Sequence, residues 1–149
     1  MAERQINVED VANYLYRINV GIWNALEKGS FALFRKAGVI YLDRLIGEGV
    51  INEGNLDEML TQLASYYERA GFCDSCKLDI GEDEITIDVE NTPFARLEQR
   101  VRQETGAEPF ANPFKNLTMG VIKKVEGKAS KATVTGDDKD LHIVVKRVG

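Results

Sequence analysis

The sequence predicts an α+β fold in which two antiparallel hairpins form one four-stranded sheet packed against about five helices. Three observations predict it. Apolar residues recur at helical spacing up to Gly71, and this spacing changes to strict alternation after Gly71 and again after Gly127. Asn-Thr-Pro at 91–93 and Asn-Pro at 112–113 are typical of helix starts. The length of 149 residues predicts a single domain spanning 1–149, with no linker or low-complexity segment.

The first two helices are predicted from their caps and apolar stripes. Asn7 can cap the first helix, which Gly29 ends, and its stripe consists of Val11, Leu15, Ile18, Ile22, Trp23 and Leu26. Ser30 can cap the second helix, which runs to about residue 46 and is apolar on most of its girth. Such a helix is normally buried. Ala37 and Gly38 give it a flat position where another backbone could approach closely.

A third helix and the first hairpin follow. Asn55 and Glu58 repeat the capping pattern, and Gly71 is suited to the position just after a helix C-terminus. From 72 to 80 the period is two, the residues 81–83 form a turn, and a return strand then carries Ile85, Ile87 and Val89 on one face.

The second half repeats the order of helix and hairpin. Thr92 and Asn112 are caps for the fourth and fifth helices, because each is followed by a proline. The stretch between these helices, from Thr105 to Asn112, is predicted to be a loop. Gly127 closes the last helix, and the second hairpin turns at 136–138.

Composition excludes several classes of protein. The net charge is −5 and the pI is near 5.0, which disfavours nucleic acid as a partner because phosphate binding draws on clustered Lys and Arg. The first ten residues are polar where a signal peptide needs an apolar run. No segment approaches the roughly 20 apolar residues of a membrane span. We therefore expect a cytoplasmic location with reduced thiols and no membrane span.

No motif in the sequence supports catalysis on its own. Cys73-x-x-Cys76 lacks the two further ligands of a zinc site, and in a predicted strand its two side chains should point to opposite faces. We interpret Cys73 and Cys76 either as structural thiols or as part of a metal or redox site that a second subunit completes. His142, the only histidine, is expected on the outer side of the last strand without a catalytic partner. No cofactor can be identified.

The aromatic residues offer a more informative signal. Twelve of them fall largely on helices and, with the apolar second helix, exceed what one sheet face needs. They could form plain core, an apolar pocket between helices and sheet, or a dimer face. If there is a pocket, the predicted inward direction gives its lining as Phe34, Ile40, Tyr41, Leu97, Phe114 and Val121.

Several short motifs resemble the 4-vinyl reductase domain. They are Ala37-Gly38, Gly71-Phe72, Asn91-Thr92-Pro93-Phe94 and Gly120, and the resemblance covers roughly 30–148. That family includes archaeal hydrocarbon-binding proteins and is related in fold to the Bet3-type subunits of the transport protein particle. The resemblance implies the fold, a tendency to form homodimers, and a buried apolar channel for a small hydrophobic molecule such as a hydrocarbon, a lipid or an isoprenoid.

The chain also departs from this family. The family has a Cys or His near the entry to the last helix, where this chain reads Phe110-Ala111-Asn112, and two cysteines in the closing hairpin, which has none here. A metal or thiol role is therefore not carried over, and reductase activity is not implied. The leading hypothesis is a non-enzymatic binding or sensory domain for a small hydrophobic ligand. The alternatives are a homodimeric scaffold without a ligand, and a cysteine-based site shared across a dimer.

Overall fold

The order of elements follows the prediction of three helices, a hairpin, two helices and a hairpin. The computed structural model describes residues 7–106 and 112–148, apart from the side chain of residue 8. Its elements are α1 (Val8–Leu26), α2 (Ser30–Gly47), α3 (Leu56–Arg69), β1 (Ser75–Ile80), β2 (Glu84–Glu90), α4 (Pro93–Thr105), α5 (Pro113–Glu126), β3 (Ala129–Gly136) and β4 (Leu141–Val148). A short 3-10 turn at 27–29 joins α1 to α2.

The described strands form one four-stranded antiparallel sheet in the order β1-β2-β4-β3. This confirms the predicted α+β fold class. On its inner face Ile87 lies opposite Ile143, and both are buried. On its outer face Asp88 lies opposite His142, with 2.6 Å between Oδ1 and Nδ1, and both are exposed. The predicted outward position of His142 is therefore confirmed.

Polar caps start four of the five described α-helices. The side chains of Asn7, Asn55, Thr92 and Asn112 each accept a hydrogen bond from a backbone N–H in the first helical turn. The prediction for Ser30 is wrong, because Gly29 holds the cap position of α2 and the Ser30 hydroxyl instead donates to the carbonyl of Glu27. The 3-10 turn leaves no extended residue at that junction for a side-chain cap.

Helix α2 crosses α5 at two glycines. A Cβ atom on Gly38 would lie 2.7 Å from the backbone oxygen of Asn116, and a Cβ on Gly120 would lie 3.6 Å from the Gly38 carbonyl oxygen. The backbones therefore approach as closely as the flat position at Ala37 and Gly38 predicted. Any larger residue at 38 would push the helices apart.

The expectation that α2 is buried all round is wrong. Phe34, Leu42 and Leu45 are buried, whereas Leu33 is 45% exposed and Ile40 is 60% exposed. The physical reason is that α2 packs mainly against α5, through the side that carries Gly38.

Helix α1 turns apolar side chains outward. Among the side chains of α1 that the structure describes, those of Ala12 and Asn19 are buried. A second set is exposed or half-exposed, and its spacing of three or four residues places it on one side of the helix. This set, the outer face of α1, consists of Val11, Tyr14, Ile18, Ile22 and Leu26.

Polar contacts hold α1 on α4. Arg96 Nη1 lies 2.6 Å from Glu9 Oε1, and the guanidinium carbon of Arg100 lies 4.2 Å above the centre of the Tyr16 ring. The Tyr16 hydroxyl donates to Glu104. Within the described residues, none of the helices is both long and apolar enough to cross a membrane.

Candidate functional site

Five aromatic rings form a connected cluster where α3, α4 and α5 meet the start of the sheet. The aromatic cluster consists of Tyr66, Tyr67, Phe72, Phe94 and Phe114, with neighbouring ring centres 4.8–6.1 Å apart. Most pairs meet edge to face, which aromatic quadrupoles favour. Phe114 and Phe94 are 0% and 3% exposed, whereas Phe72 is half-buried. Phe72 and Tyr66 are the two rings of the cluster that are only half-buried.

Helix termini place these rings. Helix α3 stops at Gly71, whose φ of +79° suits glycine, and the N–H of Phe72 donates to the carbonyl of Tyr67 at 2.9 Å. This bond folds Phe72 back onto the last turn of α3. Phe94 and Phe114 each follow a proline at the first position of a helix. Phe72, Phe94 and Phe114 therefore share one signal in the sequence. Each directly follows a glycine that ends a helix or a proline that begins one.

Tyrosine hydroxyls connect the aromatic cluster to α2. The hydroxyls of Tyr41 and Tyr66 lie 2.5 Å apart, and Tyr67 donates to the Pro113 carbonyl at 3.4 Å. Burial, together with the hydrogen bond to Tyr66, raises the pKa of Tyr41, and burial raises the pKa of Tyr67 well above its ordinary value. Both groups are neutral hydrogen-bonding phenols at pH 7.

Both thiols lie on the core side of the chain. Cys73 is 5% exposed and Cys76 is 7% exposed, so the prediction of opposite faces is wrong. The reason is that β1 begins only at Ser75 and the chain bends at Asp74, so the alternation of a strand does not extend back to Cys73. Burial raises the pKa of Cys73 to about 11 and that of Cys76 to about 12.

The environment of the thiols does not resemble a metal centre. Over the described residues, no three His, Cys, Asp or Glu side chains come close enough to hold a metal ion. The nearby Glu68 accepts a hydrogen bond from the backbone N–H of Cys76 at 2.9 Å. Neutral thiols are poor metal ligands and poor nucleophiles.

A groove of about 550 Å³ is lined by residues that are chain neighbours of Phe72 and Phe94, whereas the rings of the aromatic cluster do not line it. It lies where the N-terminal ends of α1 and α4, the C-terminal end of α3, the start of β1 and the turn between β3 and β4 come together. We call it the polar groove. Its charged lining residues are Glu9, Glu68, Asp74, Asp138, Arg96 and Lys139. Gly71 and Cys73, the chain neighbours of Phe72, also line it.

The six predicted lining residues have different positions. Phe34, Leu97, Phe114 and Val121 are buried, as their predicted inward direction requires. Only Phe114 belongs to the aromatic cluster, and half-buried Tyr41 reaches that cluster through Tyr66. Ile40 is 60% exposed, so its predicted inward direction is wrong. Its apolar character did not distinguish the side of α2 that meets α5 from the side that does not.

Two further observations concern residues named in the sequence analysis. Leu97 also lines a cavity of about 10 Å³ between α1 and α4, which is about the size of one water molecule. At residues 110–112 the chain differs from the 4-vinyl reductase family, which has a Cys or His there. Most of this segment lies outside the described residues, because the structure describes only Asn112 of the three. Asn112 is buried, caps α5, and donates from Nδ2 to Glu98 at 2.7 Å.

Comparison with known families gives one match that covers most of the chain. The family model described as "Putative rubredoxin C-terminal domain" matches residues 10–149. This description differs from the 4-vinyl reductase domain that the short motifs resemble. No curated protein matches the chain.

The solved structures that share the fold include two with a bound small molecule. One is a trafficking protein particle complex subunit 3 from Naegleria fowleri covalently bound to palmitic acid, with a TM-score of 0.59 and 15% identity over 98% of both chains. The other is the phenol-responsive sensory domain of the transcription activator PoxR with phenol, with a TM-score of 0.54 and 13% identity over 99% of this chain and 77% of that one. At such identities the likeness shows a Bet3-like α+β fold.

Proposed function

We propose that this chain, which belongs to the "Putative rubredoxin C-terminal domain" family, is a single non-enzymatic domain that binds a small hydrophobic ligand. The observation that carries the proposal is the polar groove, whose lining residues include chain neighbours of two rings of the aromatic cluster. Ligand pockets combine a mostly apolar and aromatic wall with a few polar groups, and they have volumes of roughly 300–1,000 Å³. The groove, at about 550 Å³, falls within that range.

The two structural neighbours support a ligand-binding role. One carries palmitic acid and the other carries phenol, so the same fold accommodates an aliphatic chain in one protein and an aromatic ring in another. The motifs resembling the 4-vinyl reductase domain also favour a hydrocarbon, lipid or isoprenoid-like ligand. We expect Phe114 and Tyr41 to lie nearest this ligand, with Phe34, Leu97 and Val121 behind them.

Native mass spectrometry of the untagged protein, purified from its own cells, tests this proposal. We expect an additional mass of one small molecule per chain that disappears on denaturation. Phe114→Leu should lower the occupancy because it removes part of the aromatic wall, whereas Ile40→Ser, on an exposed side of α2, should leave the occupancy unchanged. A bare chain mass, with no thermal stabilisation by a fatty acid, an isoprenoid or phenol, would exclude the function.

A second candidate is a homodimeric scaffold, and the outer face of α1 favours it. Val11, Tyr14 and Leu26 are 40%, 67% and 52% exposed. Apolar residues repeated along one side of a helix usually pack against another surface. A second copy would offer the same face, as the twofold symmetry of most homodimers requires. Ligand binding and dimer formation use different surfaces, so the two functions are compatible.

A further inference from the structure

We propose that two copies of this chain exchange α1, so that α1 of one copy packs on α4 of the other and lines the other copy's polar groove. The inference builds on the homodimer described above as a second candidate function, and it adds a polar contact surface to that dimer. It follows from the joint between α1 and α2 and from the contacts between α1 and α4.

The joint between α1 and α2 departs from helical geometry at Glu27. Leu26, Gly29 and Ser30 have right-handed helical dihedral angles. Glu27 has a φ of 46° and a ψ of −121°, and it is the residue of this fully described joint with a positive φ. Residues other than glycine rarely adopt such angles. Rotation of Glu27 to helical angles would relieve this strain and join α1 and α2 into one helix over 8–47.

The surface of α4 that such a rotation uncovers fits a second copy of α1. Because the crossing with α5 holds α2 in place, rotation at the joint swings α1 off its own α4. In the closed chain, Arg96 pairs with Glu9 at 2.6 Å, and Arg100 donates from Nη1 to Asn13 Oδ1 at 2.9 Å. Leu97, which lines the small cavity between the two helices, is 3% exposed. The second copy's α1 carries the same complementary groups, which makes it the matching partner for this surface.

The exchange makes the polar groove a site shared by two chains. Asn7 and Glu9, at the N-terminal end of α1, line the groove together with residues of α3, α4 and the loops. In the exchanged dimer these two lining residues come from the other chain. A ligand in the groove would then contact both copies and stabilise the dimer, although the groove and the outer face of α1 are different surfaces.

Charge reversal separates exchange from ordinary dimer formation. Glu9→Arg and Arg96→Glu each place like charges between α1 and α4. When the two variants are mixed, an exchanged heterodimer brings opposite charges together at both contacts, whereas an unexchanged heterodimer keeps both repulsions. After subunit exchange at low salt, we expect native mass spectrometry to show about five times as much heterodimer as homodimer. Random pairing would give equal amounts of the two.

The ion pair between α2 and α5 provides a matched control. Lys124 Nζ lies 3.1 Å from Asp43 Oδ1, and both helices remain in one chain whether or not α1 is exchanged. A mixture of Asp43→Lys and Lys124→Asp should therefore give equal amounts of heterodimer and homodimer. If the Glu9 and Arg96 variants also give equal amounts, the exchange is overturned, while the homodimer and the ligand-binding function stand.

Variants of the joint test the same exchange without changing a charge between α1 and α4. Glu27→Gly relieves the strain of the closed chain and should raise the dimer dissociation constant about tenfold in sedimentation velocity. Gly29→Ala, whose Cβ would lie 3.7 Å from that of Leu26, favours the continuous helix and should lower the constant severalfold. Constants within about twofold of wild type in both variants would contradict the exchange. If the wild type and Gly29→Ala are monomers up to their solubility limits, the exchange and the homodimer both fail.

Discussion

Burial keeps the thiols of Cys73 and Cys76 protonated, because an apolar setting solvates a thiolate poorly. Their pKa values are raised from an ordinary 9.0 to about 11 and about 12. The stability that these two shifts represent is complete below about pH 9, and it is lost as the pH rises to about 11 for Cys73 and to about 12 for Cys76, since the thiols of the unfolded chain ionise first. We therefore expect the free energy of unfolding to fall over that range, as measured by urea unfolding.

The double variant Cys73→Ala with Cys76→Ala provides the control for this decline. Its free energy of unfolding should fall less with pH, with a remaining decline from Tyr41 and Tyr67, whose pKa values are also raised. Identical pH profiles would show that the thiols are not the source. Metal analysis of the untagged wild-type protein tests the alternative role. About one zinc or iron per dimer would contradict our interpretation of these cysteines as packing residues.

At the scale of elements, the crossing of α2 and α5 depends on the missing side chain at Gly38. A Cβ there would lie 2.7 Å from a backbone oxygen that cannot move without shifting α5. We expect Gly38→Ala to lower the free energy of unfolding by about 1–3 kcal/mol in denaturant titrations. Gly21→Ala, in α1, meets no atom within 4 Å and should raise it by about 0.5–1 kcal/mol. Equal effects of the two changes would contradict this close contact.

Helix termini explain how much of the fold could be predicted. Asn55, Thr92 and Asn112 act through neighbours at most three residues away, so a local pattern identified them correctly. The covered side of α2 depends instead on α5, which is distant in the sequence, so apolar character alone could not show that Ile40 faces outward. The aromatic cluster was missed for the same reason, since its rings come from three helices and a loop.

At the scale of the whole molecule, the outer face of α1 predicts self-association. We expect light scattering at low micromolar concentration to show a dimer, with an interface of at least about 1,000 Å². Ile18→Glu should give a monomer, because it places a charge on that face. Val148→Glu should remain a dimer, because Val148 is an equally apolar, 52% exposed residue on β4. If the wild-type protein is a monomer at that concentration, the hypothesis of a homodimeric scaffold is wrong.

The polar attachment of α1 also has a consequence for hydrogen exchange. The ion pair of Arg96 with Glu9 is more than half exposed on both sides, so dissolved salt screens it. Among its described side chains α1 buries only Ala12 and Asn19, so it should open more readily than α5, whose apolar residues are mostly buried. In the monomeric Ile18→Glu variant, we expect the backbone amides of α1 to exchange with deuterium faster than those of α5, and the difference to grow with ionic strength. Self-association of the wild type should slow this exchange, so the helix that forms the interface would be firmly ordered only in the assembled protein.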